Sequence, residues 1–86
     1  MTINNEDIEF IVKANKILQN PQRYPDGQKC IDIYKRVYAD EIAARKNPYY
    51  RSLSPSCGSC IRHCVFTLAS TLKGLGIIKA NGEYNE

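Results

Sequence analysis

The residues of this chain best suited to chemistry are its cysteines, three of which lie between positions 57 and 64. Thiolates in a Cys-x-x-Cys spacing grip a zinc ion from a loop-to-helix turn. We therefore expect Cys57, Cys60 and Cys64 to cluster, and a structural zinc site adds Cys30 as the fourth ligand if the loop at 48–55 runs back along the preceding helix. His63 is the other candidate, but on a helix it points about 100° away from Cys64. Zinc is the only cofactor that the sequence indicates.

Two other interpretations of the same cysteines stay open. The leading one is core packing, because free cysteine is a small and frequently buried apolar residue, and helical spacing places these residues on a face with Ile61 and Val65. The other is redox chemistry, because Cys57-Gly58-Ser59-Cys60 resembles the active-site tetrad of thioredoxins. The resemblance implies a buried strand before the tetrad, whereas residues 49–54 are polar. A disulfide formed by chance is a further alternative.

Catalysis of other kinds has little support in the sequence. His63 is the single histidine, and its place beside Arg62 on a helix flank is typical of a solvated surface residue. Its other neighbour, Cys64, points away from it on a helix, so the two do not form a nucleophile and base. The sequence shows no paired-carboxylate catalytic site and no glycine-rich phosphate loop. We therefore expect a protein that is not an enzyme.

Capping and breaking residues predict the elements that would position these side chains. The chain has 86 residues, 43% of them hydrophobic, which predicts a single domain over 1–86 with a modest core. The first expected helix runs from Asn4 or Asn5 to Asn20-Pro21. The second is capped by Asp26 and runs to about Lys46, before Asn47-Pro48. The third is opened by Ser54-Pro55 and runs to about Lys73, with Gly74 or Gly76 as its stop. The fold class is therefore all-α, a three-helix domain.

The segment at 77–84 adds a short β-hairpin to this expectation, since it carries an Asn-Gly turn signal between two short runs. No run of about 18 apolar residues is present, so we expect no membrane partner. The acidic first residues lack the pattern of a secretory signal, which predicts a cytoplasmic protein with reduced cysteines.

The net charge of +3 admits a nucleic-acid partner. A last helix that leads through Leu72-Lys73-Gly74-Leu75-Gly76 into an Asn-Gly turn is similar to the end of winged-helix DNA-binding domains. That resemblance covers about the last quarter of the chain and implies contacts from Arg62, Lys73 and Lys79.

The leading function is a structural or protein-interaction component. Six tyrosines are many for this length, and tyrosine suits surfaces that are packed on one side and wet on the other. Tyr49, Tyr50 and Arg51 are the first candidate contact patch. The segment Ser56-Cys57-Gly58-Ser59-Cys60-Ile61-Arg62 in a short, tyrosine-rich chain resembles small proteins encoded by tailed phages, which implies a virion or accessory component in the virion or the host cytoplasm. The second alternative to this function, after nucleic-acid binding, is a zinc-stabilised adaptor.

Overall fold

The computed structural model describes residues 3–44 and 53–84. Within these ranges the chain forms four helices, which are α1 (Asn5–Ile17), α2 (Gly27–Val37), α3 (Ala39–Ala43) and α4 (Gly58–Gly74). The described part of the chain is mainly helical, with 62% of its residues in helices, which confirms the all-α prediction. None of the described helices combines the length and the apolar character needed to cross a membrane.

Helix α1 begins at the residue that the sequence indicated. The Asn4 side chain accepts a hydrogen bond from the Asp7 amide at 2.8 Å, and the Asp7 carboxylate accepts one from the Asn4 amide at 3.2 Å. This reciprocal capping box provides hydrogen-bond acceptors for two backbone amides that have none within the helix. Asp7 is buried, and Arg36 of α2 lies 2.6 Å from its carboxylate. The cap of α1 therefore also joins α1 to α2.

The second predicted helix is divided in the structure. Asp26 caps α2 as expected, through the Lys29 amide, but the helical backbone is interrupted at Tyr38, with φ −103° and ψ 26°. The Tyr38 hydroxyl donates to the Thr67 carbonyl at 3.4 Å and is hydrogen-bonded to the Thr71 hydroxyl. The prediction of one uninterrupted helix is wrong here, and the break falls at the residue whose side chain contacts α4. The predicted end at Lys46 lies outside the described residues.

Helix α4 starts later than predicted. Cys57, with extended backbone, is its N-cap, and Ser54 instead closes a turn by accepting the Cys57 amide at 3.0 Å. At the other end, the helix stops at Gly74 and Gly76 adopts a left-handed φ of 75°. The expected glycine stop is confirmed.

The core lies between α4 and the two earlier long helices, since α4 packs against both α1 and α2. The largest fully buried side chains of the core are Ile11, Cys30, Ile31, Cys64, Val65, Leu68 and Leu72. Gly27 marks a close approach, because a Cβ there would lie 2.3 Å from the Pro55 carbonyl oxygen. The amino end of α2 therefore lies directly against the turn that precedes α4.

The predicted hairpin is reduced to a single antiparallel bridge between Ile78 and Tyr84. Gly82, with φ 88°, forms the turn, in which the Gly82 amide donates to the Lys79 carbonyl at 2.9 Å. The described residues contain no β-sheet. Ile78 is buried against the helices, so the turn is held by packing rather than by paired strands.

Candidate functional site

The four cysteines occupy two different environments. Cys30 of α2 and Cys64 of α4 are buried in the core. Burial raises the pKa of the Cys30 thiol to about 11 and that of the Cys64 thiol to about 12, and the nearby Cys30 adds to the rise at Cys64. These two thiols stay protonated near neutral pH and pack as small apolar groups, as the core-packing interpretation expects.

Cys57 and Cys60 lie at the start of α4 and are partly exposed. The Cys57 sulfur accepts the Cys60 amide at 3.3 Å and lies 3.3 Å from the Ser59 hydroxyl. The pKa of the Cys57 thiol is lowered to about 7, chiefly by a hydrogen bond from the Cys60 thiol and then by the one from Ser59. The pKa of Cys60 is raised, mainly because its thiol makes that bond. One thiol of the pair is thus activated and the other is kept protonated.

The described residues do not show a formed zinc site among the predicted ligands. Over 3–44 and 53–84, no group of three or more histidine, cysteine, aspartate or glutamate side chains could hold a metal ion. A closed site needs four sulfurs about 4 Å apart around bonds of ~2.3 Å. Cys57 and Cys60 lie at the partly exposed start of α4, whereas Cys64 and Cys30 are buried in the core. The structure gives the zinc-stabilised adaptor no support.

The different environments of the cysteines predict a sharp pH dependence of alkylation. We expect the rate at which iodoacetamide modifies Cys57 in the native protein to rise with pH and to reach half its maximum near pH 7, because only the thiolate reacts. Cys60→Ala should move this midpoint upward, since it removes the main hydrogen-bond donor. Mass spectrometry of the tryptic peptide 52–62 reports the modification, and Cys30 and Cys64 serve as slow internal references. A midpoint above pH 8 in the unchanged protein would contradict the activated thiolate.

A tyrosine from the α1–α2 connection packs against Gly58, the residue that follows Cys57. A Cβ at Gly58 would lie 2.8 Å from the Tyr24 hydroxyl oxygen, so the ring packs against the glycine of the tetrad. The Arg62 guanidinium lies 5.3 Å from the centre of the Tyr24 ring and donates to the Leu18 carbonyl at 3.1 Å. The tetrad glycine is therefore needed for packing, and Arg62 joins the end of α1 to α4.

The three cations predicted to contact nucleic acid have different surroundings. Arg62 is partly buried and engaged with Leu18 and Tyr24. Lys73 and Lys79 are exposed near the end of α4 and in the following turn. The single bridge at 78–84 does not provide a two-stranded wing. Nucleic-acid binding stays a prediction, which now depends on Lys73 and Lys79.

His63 lies against α2, whereas its sequence position predicts a solvated residue. Its Nε2 lies 3.3 Å from the hydroxyl of the buried Tyr34 and shares a hydrogen bond with it. The two rings also meet edge to face, with centroids 5.6 Å apart. No local sequence signal pairs residues 29 positions apart. His63 therefore orders the contact between α2 and α4.

A groove between α1, α4 and the turn at 80–81 has no counterpart among the sequence predictions. It measures about 490 Å³ and is lined by Asn15, Gln19, Phe66, Ala69, Ser70, Lys73, Ala80 and Asn81. Phe66 is 46% exposed. The sequence signal for this groove is an aromatic residue off the apolar face of α4, next to Val65.

The predicted contact patch Tyr49, Tyr50 and Arg51 lies outside the described residues. Of the other tyrosines, Tyr34 is buried, Tyr38 is partly buried, and Tyr24 and Tyr84 are exposed.

Comparisons with protein-family models, curated proteins and solved structures found no match to this chain.

Proposed function

We propose that this protein is a small, non-enzymatic interaction module that binds a peptide segment of a partner protein in the groove between α1, α4 and the turn at 80–81. The observation that carries this proposal is Phe66, an aromatic side chain left 46% exposed beside a concave surface. Partly exposed aromatic residues next to grooves are typical of protein-binding surfaces.

The groove lining indicates which chemistry the partner presents. Phe66 and Ala69 supply an apolar surface, and Lys73 supplies a positive charge at the same groove. Asn15, Gln19 and Asn81 carry amides that can pair with peptide backbone groups. The best complement is a peptide with an apolar side chain followed or preceded by a carboxylate.

The fixed turn beside the groove favours binding without large rearrangement. A Cβ at Gly82 would lie 2.6 Å from the Asn15 side-chain amide, so the turn packs tightly on α1. A lining held in this way loses little conformational entropy when a ligand binds. The tailed-phage resemblance of the cysteine segment supports, as a further part of the proposal, a partner within a virion or another phage assembly.

Selection from a random peptide library displayed on beads tests this function, because the peptides themselves reveal the preferred sequence. We expect the enriched peptides to share an apolar residue next to Asp or Glu. Phe66→Asp should weaken their binding at least tenfold, which equals about 1.4 kcal/mol, because it places a carboxylate on the apolar surface. Lys73→Glu should weaken the acidic peptides selectively.

The matched control is Leu75→Asp, which changes an exposed leucine that does not line the groove. It should leave peptide binding unchanged, and circular dichroism should show native helix content in all variants. Peptides that bind the Phe66→Asp protein as well as the unchanged one would contradict the proposed function, and so would a selection with no enrichment.

A further inference from the structure

The start of α4 carries a pair of thiols that differ in reactivity although they are close together. Cys57 is the N-cap of α4 and Cys60 is its third residue, so the two lie within one helical turn. Cα atoms within one turn lie roughly 5 Å apart, inside the range of disulfides, roughly 4.4–6.8 Å. The Cys57 sulfur already accepts the Cys60 amide at 3.3 Å. The pair can therefore be joined with little movement of the backbone.

The residues between the two cysteines leave this turn open to a reagent. Gly58 has no side chain, and Ser59 is exposed, with its hydroxyl 3.3 Å from the Cys57 sulfur. The neighbouring Tyr24 ring is itself 48% exposed. A disulfide-bearing molecule can thus approach Cys57 from solvent, in contrast to Cys30 and Cys64, which the core covers.

We propose that Cys57 and Cys60 form a reversible dithiol–disulfide site that exchanges with low-molecular-weight disulfides. This site is distinct from the groove at Phe66, and it does not depend on the proposed peptide binding.

The exchange has two balanced steps. The Cys57 thiolate attacks one sulfur of a disulfide RSSR, so that a Cys57–SR mixed disulfide forms and RS⁻ leaves. Cys60 then loses its proton to the departing thiolate and attacks the Cys57 sulfur, which releases a second RS⁻. Two protein thiols are oxidised to one disulfide, and RSSR is reduced to two RSH.

Hydrogen bonding assigns the two roles. Cys57 is the attacking thiol because its thiolate is stabilised by the Cys60 and Ser59 donors, which lower its pKa to about 7. Cys60 is the resolving thiol, since its raised pKa keeps it protonated until the mixed disulfide has formed.

Equilibration of the folded protein with mixtures of reduced and oxidised glutathione tests the site. Trypsin cuts after Lys29, Lys35, Arg51, Arg62 and Lys73, so peptide 52–62 holds Cys57 with Cys60, whereas Cys30 and Cys64 fall in peptides 30–35 and 63–73. Remaining thiols are then blocked with N-ethylmaleimide. As the buffer becomes oxidising, we expect peptide 52–62 to take up no maleimide and to have a mass two hydrogens below that of the unblocked dithiol peptide. Return to reducing buffer should restore both thiols.

Two variants separate the roles. Cys60→Ser should stop the reaction at the first step and accumulate glutathione on Cys57, whereas Cys57→Ser should accumulate far less on Cys60. The matched control Cys30→Ala, distant in sequence and buried, should still form the disulfide within peptide 52–62.

Three results would overturn the proposal: peptide 52–62 remaining a dithiol across the buffer range, a disulfide that instead links peptides 30–35 and 63–73, and equal glutathione uptake by the Cys57→Ser and Cys60→Ser proteins. Loss of peptide binding by the Phe66→Asp protein bears only on the groove, so failure of one proposal is distinguishable from failure of the other.

Discussion

Leu72→Ala is expected to cost about 3–5 kcal/mol of unfolding free energy, more than any of the other substitutions proposed for this protein. Leu72 lies on α4 and is fully buried among core side chains. Truncating such a leucine removes its transfer free energy and leaves a cavity that the neighbours fill only in part. Urea denaturation followed by circular dichroism at 222 nm measures the loss directly.

Leu75 provides the matched control for this truncation. It follows α4 by one residue and is 56% exposed, so Leu75→Ala should change stability by about 0.5 kcal/mol or less. Similar losses in the two variants would contradict the packing of α4 against α1 and α2. A domain of this size is only marginally stable, so the Leu72→Ala protein should also melt well below the unchanged protein.

Gly27→Ala is expected to destabilise the fold by about 2 kcal/mol, although alanine is the better helix former. The added methyl group would lie 2.3 Å from the Pro55 carbonyl oxygen and 2.9 Å from a methyl group of Ile61. The first of these neighbours is backbone, so relief requires α2 to move away from the turn before α4, which costs packing. Thermal unfolding should show a melting temperature lower by roughly 10 °C.

Gly74→Ala tests whether that loss comes from crowding. Nothing lies within 4 Å of a Cβ built at Gly74, the last residue of α4. The substitution should therefore be neutral or stabilise by up to about 1 kcal/mol. If Gly74→Ala destabilises the protein as much as Gly27→Ala does, the loss of stability comes from replacing a glycine and not from the contact with Pro55.

The local signals in the sequence predicted the helices well where a single side chain controls the outcome. Asn4 and Asp26 cap α1 and α2, and Gly76 adopts the left-handed conformation after α4. The errors occur where distant residues decide. The helix breaks at Tyr38, whose hydroxyl contacts Thr67 and Thr71 of α4, and no pattern within α2 reveals these distant partners.

The candidate site shows the same division. The spacing predicted that Cys57, Cys60 and Cys64 lie on successive turns of one helix. It did not predict that Cys64 is buried whereas Cys57 and Cys60 are partly exposed. That separation arises because α4 starts at Gly58 rather than at Pro55, which makes Cys57 a capping residue instead of an internal one. A shift of three residues in a helix start thus changed the chemistry expected of a thiol.

Helix α4 is the surface on which α1 and α2 both pack, and it follows them in the chain. A ribosome therefore releases two amphipathic helices before it releases the helix that covers them. During translation the apolar faces around Ile11 and Ile31 are open to solvent and to chaperones. A released chain that ends before residue 58 should therefore be digested rapidly by proteases, because folding becomes productive only when α4 is present.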